Sequence, residues 1–278
     1  LAVARGEFDA GGLKTAIADK QWLGGVCLNV GCIPSKALLK NAEVAHTLRE
    51  RGKEFGFSFD NLVLDYAAAV KRSRSVSDRL VRGVGFLMKK NNITVHMGAA
   101  KLTGKDTLQV TAKDGAVTDL KAKNIIIATG AQPTVIPGVT IDGQKVLTYT
   151  EAILQNHLPK SAVIIGAGAI GAEFATIWSA YGAQVTLVEM LPRILPLEDE
   201  ESSTELAKAF QKRDIQMLTS TRVLSVQAGE AGVTVKVAAP DGEKTLEAEQ
   251  ALVAIGFKPN SKNLGLEEAG VKLTERGF

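Results

Sequence analysis

Only two of the 278 residues are cysteine, Cys27 and Cys32. One pair of thiols in a chain this long is no disulfide scaffold, so packing must hold the interior. Long apolar runs are missing too: no stretch approaches the roughly 20 residues that a membrane-spanning helix requires. Charge of one sign is scarce, since 33 Lys and Arg stand against 30 Asp and Glu, leaving +3. That balance is too slight to suggest a nucleic-acid or membrane partner. Histidine is limited to His46, His96 and His157. They fall on a helical stretch, in a strand-like run and in a loop, and each reads as structural. Nothing near the cysteines supplies the remaining ligands of a zinc site, so no metal is expected.

What is present is ordinary globular composition, 45% hydrophobic and 23% charged, enough for a core of normal size. A chain of 278 residues suggests two domains. It opens on Leu1 rather than methionine, and we expect the numbering to begin within a longer polypeptide.

Residues 14–18 (KTAIA) read as a buried parallel strand ending at Asp19. A Gly24-Gly25 turn leads to the first cysteine. From Pro34 onward, Leu38, Leu39, Ala42 and Ala45 keep helical spacing, and Pro34 suits a first helical turn. A second helix is predicted over 66–90, with Lys71, Arg72, Arg74, Arg79 and Arg82 as its solvated face. Strands are predicted over 93–97, 107–111 and 124–128, joined by Gly-Lys-Asp and Asp-Gly turns. Residues 132–143, with two prolines and two glycines, look like a linker. A strand–helix–strand pattern follows over 162–165, 169–181 and 184–188. A helix over 201–213 comes next, then strands that include a hairpin at Pro240-Asp241-Gly242.

One internal repeat stands out. Gly182 to Glu189 (GAQVTLVE) and Gly12 to Asp19 (GLKTAIAD) share a frame of glycine, β run and carboxylate. Gly166, Gly168 and Gly171 precede the second copy, the last of them 18 residues before Glu189. The same offset from Asp19 reaches residue 1. The first copy would have its glycine loop at or before the start of this chain, so we expect two nucleotide-binding folds of which the first lacks its opening strand.

Gly166-Ala-Gly168-Ala169-Ile170-Gly171 follows an apolar strand and opens a helix, the context that makes this spacing informative. The first glycine permits a tight turn, the second lets backbone approach a pyrophosphate, and the third packs helix on strand. The pyrophosphate would sit at the helix N-terminus. Glu189, ending the next strand, would accept hydrogen bonds from a ribose diol and repel a 2′-phosphate, which favours NAD over NADP. An FAD adenosine is the rival occupant of the same motif.

Cys27 and Cys32 lie in GGVCLNVGCIPSKALL, which starts at Gly24. Buried free thiols and a redox dithiol both fit the spacing alone. Cys32 at a helix entrance favours the second, because the helix dipole and free backbone N–H groups stabilise a thiolate. Gly31 gives the loop freedom to bring the sulfurs together. Lys36, one turn beyond Cys32, projects from the same face.

This string resembles the redox-disulfide motif of the flavin-dependent disulfide reductases, the pyridine nucleotide-disulfide oxidoreductase family, and within it the dihydrolipoamide dehydrogenases. The order of the other motifs is similar: Ala128-Thr129-Gly130 (ATG), the glycine loop, and IGFKPN at 255–260. Relatives that reduce glutathione or mercuric ion tend to carry valine before the proline, or a second lysine in place of Ser35, and to prefer NADPH. The resemblance implies that Cys27 is the interchange thiol and Cys32 the thiol against the flavin ring. It places Lys36 near the flavin, paired with Glu173, and Asp19 on the FAD ribose. Gly25, Ala100, Thr129, Gly130 and Ala131 would also contact FAD. With the glycine loop and Glu189, Ala169, Ile170, Val223 and Gly256 would line the NAD site. It further implies a later flavin-binding aspartate motif and a C-terminal interface domain with a His–Glu acid/base pair, neither of which occurs before Phe278.

The expected fold is α/β, two Rossmann-like FAD/NAD(P)-binding domains of ββα three-layer type with the first incomplete. The expected boundaries are 1–145 for FAD, 146–264 for NAD, and 265–278 turning back toward the first. The implied activity is oxidation of protein-bound dihydrolipoamide with FAD and NAD through a Cys27–Cys32 disulfide. The alternatives are another disulfide or mercuric reductase of the family, or an NAD-binding fragment without turnover. Implied partners are the lipoyl domains of 2-oxo acid dehydrogenase or glycine cleavage complexes, and a second copy of the polypeptide. A cycling dithiol is compatible with a reducing compartment, the bacterial cytoplasm or a mitochondrial matrix.

Overall fold

The computed structural model describes residues 14–278. They divide into two compact units, one built from 14–29, Ser77–Gln132 and Phe257–Phe278, the other from Val30–Val76 and Pro133–Gly256. These units are discontinuous along the chain. Among the described residues, no helix is long and apolar enough to cross a membrane.

In the first unit, β1 (Ala16–Asp19) pairs in parallel with β2 (Thr94–Met97), Asp19 opposite Met97. The short α1 (Gly25–Asn29) follows β1 and carries Cys27. Beyond β2, an antiparallel meander runs through β3 (Ala99–Leu102), β4 (Thr107–Thr111) and β5 (Val117–Lys121). The strands turn Leu102, Leu108 and Val110 onto Ala18 and Leu266. Ile17, Met88 and Ile93 make a second buried cluster. A two-stranded ladder joins β6 (Ala131–Pro133) to β15 (Phe257–Pro259).

In the second unit, β7 (Val146–Leu147) leads into α4 (Tyr149–Leu154), whose N-terminus is held by a capping box between Thr148 and Glu151. Then come β8 (Ser161–Ile165), α5 (Ala169–Ala180), β9 (Gln184–Val188), α6 (Glu200–Gln211) and β10 (Gln216–Leu218). A meander of β11 (Arg222–Ala228), β12 (Val233–Ala239) and β13 (Gly242–Ala248) precedes β14 (Gln250–Val253). Ala239 pairs with Gly242, so Pro240 and Asp241 form the two-residue hairpin turn. The parallel sheet has the order β10-β9-β8-β14-β7. One face packs against the meander through Val163, Ile165, Val188 and Val253 on Val226, Val233, Val235 and Val237. This is a Rossmann-like α/β fold in which a β-meander replaces the third crossover helix.

The same unit contains α2 (Cys32–Arg51) and the start of α3 (Tyr66–Lys90). Arg49 of α2 donates to the last carbonyls of α5, and Trp178 of α5, fully buried, donates from Nε1 to Tyr66 Oη at 3.2 Å. Burial of a side chain of this size contributes roughly 1.5–3 kcal/mol or more. These contacts group 30–76 with the glycine-loop helix rather than with the segment before Cys27.

Two expectations need correction. Residues 124–128 do not form a strand: 125–130 carry no regular assignment. The topology supplies the reason. Strands β9, β10, meander and β14 recur in the first unit as β1, β2, meander and 124–128. In the second unit β14 bonds to β8, and among the described residues the first unit has no strand in that place. Ile125 and Ile127 still pack on the cluster around Ala18. Arg74 also leaves the solvated face assigned to it. It is half-buried, and its Nη1 has no hydrogen-bond partner among the described residues, whereas Lys71, Arg72, Arg79 and Arg82 are exposed.

Candidate active site

The apolar strand β8 runs into Gly166, whose φ of +98° puts it in the region that favours glycine. A Cβ at Gly166 would lie 2.5 Å from the Ala254 carbonyl oxygen, so the exit of β14 closes against this turn. Gly171 is excluded from substitution more firmly, since a Cβ there would sit 1.9 Å from Gly166 O. Gly168 differs: a Cβ would meet nothing within 4 Å. It is the N-cap of α5 and makes no side-chain cap, so the first-turn N–H groups of Ala169, Ile170 and Gly171 have no intrahelical acceptor. An open, uncapped N-terminus with a glycine at its mouth is a cradle for a phosphate-sized anion.

Glu189, immediately past β9, is 9% exposed. Its Oε2 accepts the Ala167 N–H at 2.8 Å and its Oε1 accepts the Leu191 N–H at 2.9 Å. Each oxygen keeps a further lone pair for a diol, so the acid fits a ribose while holding the loop. Thr221 N–H donates to Glu189 O at 2.9 Å, which brings the chain into β11 and Val223 alongside. Val253 is opposite Ile165 in the parallel pair, so Gly256 leaves the sheet at the edge where Gly166 does. That edge, between two neighbouring strands with opposite onward connections, is where such sheets bind nucleotides.

Cys27 and Cys32 are joined in a disulfide, and both residues are exposed. Asn29 donates from Nδ2 to the carbonyls of Leu23 and Gly25, at 3.2 and 2.9 Å, and ties down the segment that presents Cys27. Cys32 is the first residue of α2, two residues earlier than the helix start that Pro34 suggests. The N-cap Gly31 supplies no side-chain bond, so the first-turn N–H groups of the helix that begins at Cys32 have no side-chain acceptor at the cap. Lys36 Nζ donates to Glu173 Oε1 in an ion pair from α2 to α5.

In the first unit, Asp19 Oδ1 accepts the N–H groups of Gln21 and Trp22 at 2.8 and 2.9 Å. Both bonds fall on one oxygen, and among the described residues no donor reaches the other, which leaves an acceptor suited to a ribose hydroxyl. Gly98 N–H donates to Asp19 O at 2.9 Å and brings the start of β3, with Ala100, beside it. Thr129 and Gly130 are held by Asn260: Thr129 Oγ1 donates to Asn260 O at 2.7 Å, and Asn260 N–H donates to Gly130 O at 3.0 Å. Ala131 opens β6. The glycine loop expected for this unit lies outside the described residues.

Asn29 and Asn260 escaped the sequence reading. Neither was assigned a role, and only their backbone partners show their use. His157, taken as structural, lies 2.5 Å from Glu249 Oε1. Glu249 is also reached by Lys160 N–H; burial opposes its ionisation, but these donors hold its carboxyl below the usual range. Among the described residues, no group of three or more His, Cys, Asp or Glu side chains is placed to hold a metal ion.

Residues 2–278 match the family described as pyridine nucleotide-disulphide oxidoreductase. The chain is 48% identical over 265 residues to the dihydrolipoyl dehydrogenase of Mycobacterium tuberculosis, covering 95% of this chain and 57% of that protein. It is 45% identical over 268 residues to the dihydrolipoyl dehydrogenase of Chlorobaculum parvum, covering 96% and 57%. It therefore spans under two thirds of the length of the curated relatives it matches. Among solved structures, LpdA of M. tuberculosis superposes with a TM-score of 0.89 at 26% identity, over 98% of this chain and 59% of that one. The HOCl-induced flavoprotein disulfide reductase RclA of Escherichia coli gives 0.80 at 26% identity, over 98% and 57%. The exposed disulfide at a helix entrance, the glycine cradle and these likenesses agree: the chain belongs to the pyridine nucleotide-disulphide oxidoreductase family.

Proposed function

We propose that the protein containing this chain oxidises protein-bound dihydrolipoamide to lipoamide with NAD as acceptor and FAD as resident cofactor. The observation that carries this reading is the exposed Cys27–Cys32 disulfide with Cys32 at an uncapped helix N-terminus. A substrate thiolate attacks Cys27 Sγ, and the Cys27–Cys32 bond breaks with Cys32 leaving as thiolate. The helix N-terminus and the Lys36 ammonium stabilise that leaving group, and a stabilised leaving thiolate departs faster. The second substrate thiol then attacks its own sulfur bonded to Cys27, closing the cyclic disulfide and releasing Cys27 with a proton. Two electrons have passed from substrate to the cysteine pair.

FAD, when bound, relays those electrons onward to the nicotinamide. Asp19, Gly25, Ala100, Thr129, Gly130, Ala131 and Lys36 are the residues assigned to it. Gly166, Gly168, Ala169, Ile170, Gly171, Glu173, Glu189, Val223 and Gly256 are assigned to the NAD side. We assign 1–145 to FAD, 146–264 to NAD and 265–278 to a return segment. The proposed partners are lipoyl domains of 2-oxo acid dehydrogenase or glycine cleavage complexes and a second copy of the polypeptide, in the cytoplasm.

The test is the anaerobic visible spectrum of the chain with FAD, before and after NADH. The expected result is a long-wavelength thiolate band that Cys32→Ser abolishes. Turnover of glutathione with NADPH exceeding that of lipoamide with NADH would overturn the substrate assignment.

A further inference from the structure

At the end of α5 remote from the glycine loop, α2, α5 and the turn after α6 enclose a cleft of about 150 Å3. Helix α5 has 12 residues, so the two ends are about 18 Å apart. Most acceptors in this cleft are already engaged. Arg49 Nη1 donates to the carbonyls of Ser179 and Ala180 at 3.4 and 3.3 Å, and its Nε donates to Glu50 Oε1 at 2.6 Å.

Two of the other donors are free of ion pairs. Among the described residues, neither Lys212 nor the half-buried Arg213 side chain makes an ion pair, although both line the cleft. His46 lines it from α2, and Asp214 is the one carboxylate left, exposed in the turn. Burial holds His46 below the ordinary imidazole value; Arg213, Arg49 and Arg51 act the same way, against Glu50. Three donors from two separate segments thus line one cleft.

We propose that this cleft is a second anion site, separate from the glycine loop, for a phosphate dianion or a phosphate monoester. Arg213 offers a planar fork to two oxygens, Lys212 a point charge, and His46 a ring N–H to a third oxygen. A tetrahedral dianion can serve all three at once, which a carboxylate with two oxygens cannot. Occupancy would fasten the turn after α6 to α2, within the unit that carries the glycine loop.

The test follows the ring resonances of His46 with pH in the full chain, assigned by their loss in His46→Asn, with His157 as internal reference. Inorganic phosphate, glycerol phosphate and chloride are compared at matched ionic strength. The expected result is a saturable rise of the His46 midpoint by about one unit with phosphate, the size a nearby opposite charge produces. Arg213→Gln should abolish the rise, and Lys212→Gln should weaken it. The stronger response of the two phosphate species identifies the preferred source. An equal rise in chloride, a rise that survives Arg213→Gln, or no rise with either phosphate species would overturn the site. Phosphate bound at the glycine loop alone leaves His46 unmoved, and so counts against it.

Discussion

Lys36 and Glu173, 137 residues apart in the chain, form an ion pair that fastens the helix carrying Cys32 to the helix that opens on the glycine loop. Their side chains are 62% and 25% exposed, so solvent screens the pair and its contribution to stability is small. On the proposed reading its use is positional: it holds the side chain of a residue one helical turn beyond Cys32.

Lys36→Gln is therefore expected to shift the unfolding free energy by less than about 1 kcal/mol. After reduction, the variant should hold less of Cys32 as thiolate at neutral pH. Thiolate absorbance near the far ultraviolet, followed through a pH titration of both proteins, measures this directly. Superimposable titrations would remove Lys36 from the chemistry.

The loop glycines should separate fold from binding. Gly171→Ala forces a Cβ to 1.9 Å from Gly166 O, backbone that cannot step aside. A cost of at least about 1–3 kcal/mol is expected from overpacking, visible in urea unfolding. Gly168→Ala meets open space at an ordinary φ of −71° and should cost only about 1 kcal/mol or less, the preference for glycine over alanine at an N-cap. Its methyl group would stand where a pyrophosphate must approach, so NAD affinity should fall. Undiminished NAD binding by Gly168→Ala, measured calorimetrically, would show that the cradle is not used.

Tyr66 should make the protein sensitive to alkali. Burial pushes its phenol up to about 12, with the Trp178 hydrogen bond pulling the other way and Tyr181 adding to the rise. An unfolded phenol titrates near 10. Below that pH both states keep the proton and the contribution is complete. Between about 10 and 12 the unfolded chain sheds its proton while the folded one does not, so stability falls as pH rises. Tyr66→Phe should flatten this decline while lowering stability at neutral pH by about 1–3 kcal/mol, because Trp178 Nε1 loses its buried acceptor. A parallel decline in both proteins, in urea unfolding across this range, would assign the alkaline loss elsewhere.

The β8–α5–β9 unit was legible in the sequence because three independent signals coincide there: an apolar run, glycines at spacings of two and three, and an acid ending the next strand. The hairpin at Pro240-Asp241 and the helix over 66–90 were legible for similarly local reasons. The grouping of 30–76 with 133–256 was not: the resemblance implied the Lys36–Glu173 pair, but Arg49 and Tyr66 meet α5 across more than a hundred residues. Residues 124–128 look like a strand by composition, yet a strand is defined by its partner, and composition carries no information on pairing. Arg74 followed its charged neighbours in a periodic reading, which treats every arginine on a helix as solvated. The double backbone ligation of Glu189 was invisible because a main-chain N–H has no letter in the sequence.

Glu189 accepts from Ala167 and Leu191 with the same carboxylate proposed to read the ribose. On that proposal, cofactor choice and loop architecture share one side chain and would not drift separately. A lineage that exchanged this acid for a cation to accept a 2′-phosphate would, in the same step, strip the buried Ala167 N–H and the part-buried Leu191 N–H of their acceptor. On the proposed reading, the route to NADP runs first through a substitute acceptor for those amides and only then through the acid, which would make a preference for NAD self-preserving.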